Sequence, residues 1–296
     1  MRSGFVSILG KPNVGKSTLL NRIIGTKLAG VSRKPGTTRK VIHGIKNDPR
    51  GQIIFLDTPG LHEPKDLMGR FMMREATGTL PDADVLYFLV DPYVPDPAQV
   101  HDVLKPFEEV KRPIFCLVNK VDTLPKPELL PVLEWYHKQN LFKELIPISA
   151  KQGDQVDVLL EKTFEVLPEH APYFPDDISS DQTERFVAEE LIREKIFRFT
   201  GEEVPYASAV QIEEFKEEGN LTRISAVIFV EKESQKPILI GAGGSKLKTI
   251  GTEARKDLER FLEKKVFLKL WVKVMEDWKR DERSLRQLGF SDSEGK

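Results

Sequence analysis

The sequence predicts an α/β domain, built on a mostly parallel sheet flanked by helices, followed by a smaller α+β domain. Three observations predict it. A phosphate loop of the form G-x-x-x-x-G-K-S runs from Gly10 to Ser17, between an apolar run and a stretch of helical spacing. Three further polar clusters each follow a strand-like apolar segment. Beyond a proline-rich stretch the pattern turns to period two, then to helices around a glycine loop.

Phe5 to Leu9 reads as a buried strand, and Ser17 to Ile24 as a helix. Between them lie Gly10, Lys11, Pro12, Asn13, Val14, Gly15, Lys16 and Ser17, with Thr18 next. The glycines let backbone amides turn inward on phosphates, and the helix N-terminus adds a positive dipole end. Lys16 can reach the β- and γ-phosphates, and the Ser17 hydroxyl can ligate Mg²⁺.

Gln52 to Leu56 is a second apolar strand, ending in Asp57-Thr58-Pro59-Gly60. Asp57 suits the Mg²⁺ shell, and Gly60 lets the backbone approach a γ-phosphate and move when it leaves. Pro113 to Val118 is a third strand, ending in Asn119-Lys120-Val121-Asp122. The Asp122 carboxylate can accept from guanine N1–H and the N2 amino group. Adenine offers neither donor there, and would leave buried acceptors unpaired. Asn119 can brace the loop and contact the base, and the Lys120 stem can lie over its ring. In the fourth cluster, Ser149-Ala150-Lys151, the Ala150 amide is expected to meet guanine O6. In this order the four clusters resemble the translation-factor class of GTPases.

Between Ser17 and Asp57 lies Ser32-Arg33-Lys34-Pro35-Gly36-Thr37-Thr38-Arg39. A threonine here would offer its hydroxyl to Mg²⁺ and its amide to the γ-phosphate, an ordering lost on hydrolysis. Thr38 is preferred, with Thr37 the alternative. The residue after Gly60 is Leu61, where Ras-like proteins carry the glutamine that orients water. A leucine side chain makes no hydrogen bond, so another device is needed. Resemblance to GTPases with an apolar residue here implies that Asn13 helps to hold K⁺; its competing role is that of a turn-former. Lys16, Asn13 and Thr38 are the residues assigned to hydrolysis. His62 reads as a switch residue and not a base.

Helical spacing ends near Val166, and Leu167 to Asp177 carries three prolines and an acidic pair, as a linker does. The expected division is 1–168, a linker over 169–182, and 183–296. Asp181 or Thr183 can cap the next helix. Ile224, Ala226, Ile228 and Val230 then alternate along a strand. Gly241, Ala242, Gly243 and Gly244 form a G-x-x-G loop, followed by an amphipathic helix marked by Leu247, Ile250, Ala254, Leu258 and Phe261 and a strand from Val266 to Val274. Helix, strand, strand, helix, G-x-x-G, helix, strand is the order of a type II KH domain. Glycines without Cβ admit a nucleic-acid backbone, and Lys246 and Lys248 stand nearby. From Lys236 to Lys273 there are ten Lys or Arg against four Asp or Glu, while the whole chain carries a formal charge of −1. Phe267, Lys269, Trp271 and Lys273 share one strand face. The favoured reading is packed aromatics with snorkelling lysines; the alternative is an RNA surface. The segment Trp278 to Leu288 is expected to be a short charged helix docked on this domain or on RNA.

With both halves read, the chain resembles the Era family of bacterial ribosome-assembly GTPases over nearly its full length. The resemblance rests on G-K-P-N-V-G-K-S, P-G-T-T-R, D-T-P-G-L, N-K-V-D and S-A-K. In the second half it rests on Ser234-Gln235-Lys236, the G-x-x-G loop, Trp271-Val272-Lys273-Val274 and Asp281-Glu282-Arg283. It implies a GTP-switched protein that binds the single-stranded 3′ end of small-subunit ribosomal RNA during maturation of the small ribosomal subunit. GTP/GDP, Mg²⁺ and K⁺ are the implied cofactors. A monomer, cytoplasmic and peripherally associated with the inner membrane, is the implied form. The family usually has a lysine after the first loop glycine, where this chain has Ala242. That departure sustains a second reading, a GTP-gated module that recruits protein through a degenerate KH domain. A tRNA-modification GTPase shares G-T-T-R and D-T-P-G-L, but carries extra catalytic domains and a reactive C-terminal cysteine.

At 296 residues the length suits two domains. One cysteine and five scattered histidines give no zinc cluster and no disulfide within the chain. Cys116 reads as strand packing. No apolar run reaches membrane-spanning length, and no signal peptide is expected before the phosphate loop.

Overall fold

The computed structural model describes residues 1–94 and 110–290. They divide into two compact units. The first comprises 1–25, 41–62 and 74–181; the second comprises 26–40, 63–73 and 182–296.

The first unit holds a six-stranded sheet in the order β2-β3-β1-β4-β5-β6. Its strands are β1 (Arg2–Gly10), β2 (Ile42–Asp48), β3 (Gly51–Asp57), β4 (Val85–Val90), β5 (Ile114–Val118) and β6 (Glu144–Pro147). Only the β2–β3 pair is antiparallel. Runs such as Val85–Val90 are buried throughout, as a strand covered on both faces requires. Helices α1 (Lys16–Ile24), α3 (Lys126–His137) and α4 (Val156–Val166) belong to this unit, and α2 (Leu67–Gly78) begins in the second unit and ends in the first. β1 lies between β3 and β4, so chain connections leave it in both directions. The crevice at the carboxyl end of such a strand is where open α/β sheets bind ligands. All four polar clusters follow carboxyl ends: of β1, β3, β5 and β6.

Sequence reading marks β1, β3 and β5 but neither β2 nor β4. β2 carries His43, Lys46, Asn47 and Asp48 among its apolar residues, and β4 ends in no recognised motif. Cys116 is fully buried in β5, and burial pushes its thiol well above the usual range, as packing requires.

The second unit holds a three-stranded sheet, β7 (Ala209–Glu218), β8 (Leu221–Val230) and β9 (Lys265–Val274), in that order. β7–β8 is antiparallel and β8–β9 parallel. Helices α5 (Glu184–Phe199), α6 (Val204–Ala207), α7 (Gln235–Ile240), α8 (Ser245–Leu262) and α9 (Glu282–Gln287) complete the order read from sequence. The Thr183 side chain caps α5 by accepting from the Phe186 amide. Leu191, Ile192 and Ile196 of α5 pack with Ile224, Ala226, Ile228 and Val230 of β8 and with Ile250, Ala254 and Leu258 of α8.

The far face of this sheet is partly covered. Val227 and Phe229 pack with Trp278, Leu285 and Leu288, so the terminal segment docks on its own domain. Trp278 is fully buried and donates its indole N–H to the Ala207 carbonyl at 2.9 Å. Asp281 caps α9, accepting from the Ser284 amide at 2.8 Å and hydroxyl at 2.7 Å. Met68, Phe71 and Met72, from the start of α2, join this cluster.

Candidate functional site

The phosphate loop is shaped by backbone conformations that few residues accept. Asn13 and Gly15 have φ of 63° and 107°. Asparagine tolerates the left-handed region through local hydrogen bonding, so the turn-forming role of Asn13 is visible directly. A Cβ on Gly15 would lie 2.2 Å from Asn119 Nδ2, and one on Gly60 2.7 Å from Pro12. The loops therefore leave no room for a Cβ at either glycine, and the Leu61 amide donates to the Gly10 carbonyl at 3.0 Å.

Lys16 is buried, and its ammonium donates to the carbonyls of Gly10 and Lys11, both at 3.0 Å. The loop thus curls around a cation. Burial pushes the Lys16 pKa down to about 8, while Asp57 and Asp91 act in the opposite direction. The Ser17 hydroxyl donates to Asp57 Oδ2 at 2.6 Å. A hydroxyl and a carboxylate at the mouth of a phosphate loop are hard oxygen donors of the kind Mg²⁺ takes, so these residues fit that ion.

The base-recognition loops form a braced frame. The Asn119 amide group donates to the Val14 carbonyl at 2.7 Å, tying this loop to the phosphate loop. Asp122 Oδ1 accepts from the Ser149 hydroxyl at 2.7 Å. Lys120 has φ 65°, and its ammonium meets the Asn13 carbonyl and Asp91 Oδ1, both at 2.7 Å. Sequence reading gives the Ala150 amide to guanine O6. Here it donates to Asn119 Oδ1 at 2.9 Å, so contact with a base requires that bond to be shared or exchanged.

Two residues of this frame carry no motif. Arg22 of α1 donates to the Ala150 carbonyl at 3.3 Å and also to that of Lys151, pinning the last loop. Asp91 follows β4, a strand end that carries no motif. His62 shares a 2.7 Å hydrogen bond with the Gly60 carbonyl.

Thr37 and Thr38 belong to the second unit, whereas Ser17 and Asp57 belong to the first. Within the second unit the segment 26–40 is held by its cations. Buried Arg39 donates to the carbonyls of Ser208 (2.7 Å), Tyr206 (3.1 Å) and Pro205 (3.3 Å). Burial, with Arg193 adding repulsion, lowers its pKa. Lys34 donates to the Phe197 carbonyl at 2.8 Å, and Arg193 donates to the Thr37 carbonyl. Lys27 bridges Glu194 (2.5 Å) and Asp257 (2.7 Å), which also bind Lys195. Sequence reading places Thr38 beside Mg²⁺. Thr38 is itself buried, in the segment that this ring of donors holds.

The G-x-x-G loop joins α7 to α8. Gly241, Gly243 and Gly244 have φ of 74°, 56° and 77°. A Cβ on Gly241 would meet Lys246 at 2.7 Å, whereas Gly243 and Gly244 face open space. Ala242 and Lys248 are exposed, and Lys246 is half-buried. Gln235 fixes the approach to α7, its buried side chain accepting from the amides of Glu231 and Lys232 at 3.0 and 3.1 Å. Ile238 of α7 is exposed, an apolar surface of the kind against which an unstacked base can lie.

Fold and site define a guanine-nucleotide switch of the P-loop class joined to a type II KH domain. A family model described as 50S ribosome-binding GTPase matches residues 5–120, and a KH domain model matches 203–279. GTPase Era of Geobacter metallireducens is 47% identical over 292 residues, covering 98% of each chain. GTPase Era of Coxiella burnetii is 46% identical over 291 residues, with the same coverage. A crystal structure of Aquifex aeolicus Era, a variant bound to GDP and AlF4⁻, matches with a TM-score of 0.94 and 41% identity, covering 99% of this chain and 100% of that one. A structure of Era with MgGDPNP and nucleotides 1506–1542 of 16S ribosomal RNA matches with a TM-score of 0.93, also at 41% identity and the same coverage. The chain belongs to the Era family, and it is a GTPase.

Proposed function

We propose that this GTPase binds the 3′ end of small-subunit ribosomal RNA under control of its nucleotide and acts in maturation and assembly of the small ribosomal subunit. The observation that carries the proposal is the pairing, in one chain, of a braced guanine-specific frame with an open G-x-x-G loop flanked by lysines. A relative of 41% identity binds nucleotides 1506–1542 of 16S ribosomal RNA, which supports the same RNA here.

In the proposed cycle the loop amides from Gly10 to Thr18 and the Lys16 ammonium hold the phosphates. Asp122 accepts from the base, Asn119 and Ser149 keep that carboxylate and its loop in place, and Lys120 covers the ring. Lys151 and Ala150 close the base pocket. Ser17, Asp57 and Thr38 would hold Mg²⁺, which when bound neutralises charge on the β- and γ-phosphates. GTP binding and RNA binding are coupled in this cycle, and the coupling is reciprocal in free energy. Leu61 cannot orient water, so we assign charge stabilisation to K⁺ held with help from Asn13. Equal GTP turnover in potassium and in sodium would sink that assignment.

The division 1–168, 169–182 and 183–296 is retained as a proposal for the order of GTPase domain, linker and KH domain. Residues 291–296 lie outside the described residues. A cytoplasmic monomer with peripheral contact to the inner membrane is proposed from the family resemblance. Among the described residues no helix is long and apolar enough to cross a membrane.

The direct test is fluorescence binding of the 3′-end RNA at fixed salt, with a non-hydrolysable GTP analogue, with GDP, and against a scrambled RNA. Tight, sequence-selective, analogue-dependent binding is expected. Binding indifferent to nucleotide and sequence would refute the proposal and favour protein recruitment, the reading that Ala242 sustains.

A further inference from the structure

β9 alternates between two environments. Val266, Leu268, Leu270, Val272 and Val274 face the helices and pack in the core of the KH unit. Lys265, Phe267, Lys269, Trp271 and Lys273 form the opposite row, and all five are exposed. Sequence reading favours packed aromatics on this row. The structure overturns that: Phe267 is 51% and Trp271 49% exposed, whereas Trp278 on the same side of the domain is fully buried. The terminal segment covers Val227 and Phe229 of β8 and leaves the two β9 rings bare.

Each bare ring has a cation over it. Lys269 Nζ lies 4.7 Å from the Trp271 ring centroid, and Arg223 Cζ lies 5.4 Å from that of Phe267. Arg223 is the direct cross-strand partner of Phe267. A half-exposed ring beside a cation is a unit on which single-stranded nucleic acid stacks. Charge restricts the path. β7 carries Glu213, Glu214 and Glu218, and Glu213 bridges Lys273 at 3.0 Å while Glu218 bridges Arg223 at 2.7 Å. These are exposed pairs, which exchange readily with phosphate. Lys265 and Lys269 complete a positive row along β9. A polyanion is therefore guided along β9 and repelled from β7.

We propose that the outer row of β9 is a second single-stranded RNA contact, distinct from the G-x-x-G loop, in which Phe267 and Trp271 stack two different bases and Lys265, Lys269 and Lys273 meet the phosphates. The rings are four residues apart on one strand, about 13 Å along it. One base cannot bridge them. Stacking reads no base edge, so the contact is sequence-tolerant and adds affinity to whatever the loop selects. This inference rests on the RNA-binding reading above.

The test uses the full chain with the GTP analogue and three RNAs: the short 3′-end sequence, and the same sequence extended with unpaired uridines on its 5′ or its 3′ side. Affinities are read by fluorescence anisotropy at fixed salt. One extension is expected to bind more tightly than the short RNA. The F267A/W271A double variant should lose about tenfold or more on that extended RNA and keep its affinity for the short one. The K265E/K269E variant, which keeps both rings, should show the same selective loss and a shallower salt dependence. Extensions that add nothing, or variants that bind every RNA as the parent does, overturn the inference while leaving the G-x-x-G reading intact. Failure of the parent to bind the short RNA overturns both. Loss of ribosomal-particle binding in the double variant with all RNA affinities unchanged would assign the row to a protein, and overturns it too.

Discussion

The two glycine loops of this chain answer different demands. In the phosphate loop, glycine is needed because neighbours crowd it: a Cβ at Gly15 would collide with Asn119, and one at Gly10 with the Leu89 carbonyl. At Gly243 and Gly244 nothing lies within 4 Å, and glycine is needed only for the sign of φ. The first loop is an enclosed cradle braced by other loops. The second is an open surface, ready for close approach by an outside backbone. The difference matches the ligands: a nucleotide must be enclosed and discriminated, whereas an RNA strand must slide into place from solvent.

The largest expected effect breaks the cradle. Gly15→Ala combines left-handed strain with loss of the Asn119 brace, and should weaken GTP binding roughly a few hundredfold. Calorimetric titration with GTP checks it, and affinity within threefold of the parent would refute the crowding argument. Asp122→Asn tests the frame and not the cradle. It should cost GTP roughly 50-fold in affinity and shift preference toward xanthine nucleotides. Unchanged GTP selectivity would remove Asp122 from base recognition.

What sequence made legible divides along the same line. The phosphate loop, Asp57, Asn119, Asp122 and Ser149 can be read because each demands a residue type at a strand end, and the demand is local. Arg22 and Asp91 could not be read. Arg22 works on carbonyls 128 and 129 residues away, and Asp91 follows a strand without a motif. The element order of the KH domain was legible from the switch between period two and helical spacing. The membership of 26–40 and 63–73 in that same unit was not. It depends on Arg39, whose partners are backbone carbonyls 166 to 169 residues away and have no side-chain signature. Exposure of Phe267 and Trp271 was equally hidden, since alternation alone does not say whether the second face is covered.

The pH dependence of nucleotide binding sharpens the comparison, because only the enclosed loop buries a titratable group. Burial lowers the pKa of Lys16 from its ordinary 10.5 to about 8 in the nucleotide-free protein. Phosphate favours the ammonium, so above pH 8 binding must first restore a proton. GTP affinity should therefore fall as pH rises past 8, by up to about tenfold per unit. Stability moves the other way. Between pH 8 and 10.5 the unfolded chain binds more protons at this group than the folded one, so the Lys16 contribution to stability rises with pH. Flat GTP affinity from pH 7 to 9.5, at constant Mg²⁺ and salt, would show that the ammonium is not desolvated.

The smallest effect is expected in the open loop, and it separates two glycines of the same motif. Gly243→Ala pays only for left-handed φ, about 1 kcal/mol of stability, because its Cβ would point into empty space. Gly241→Ala adds a collision, with Lys246 Cβ at 2.7 Å and the Lys246 amide at 2.9 Å, and must displace the first turn of α8. Lys246 is one of the two lysines beside the loop, so moving it should weaken RNA binding about tenfold, against threefold or less for Gly243→Ala. Thermal melts and anisotropy on the short RNA check both variants together. If Gly243→Ala proved the more damaging for RNA while melting like the parent, the strand would have to approach closer at Gly243 than at any other point. The open loop would then be crowded in use, as the phosphate loop is.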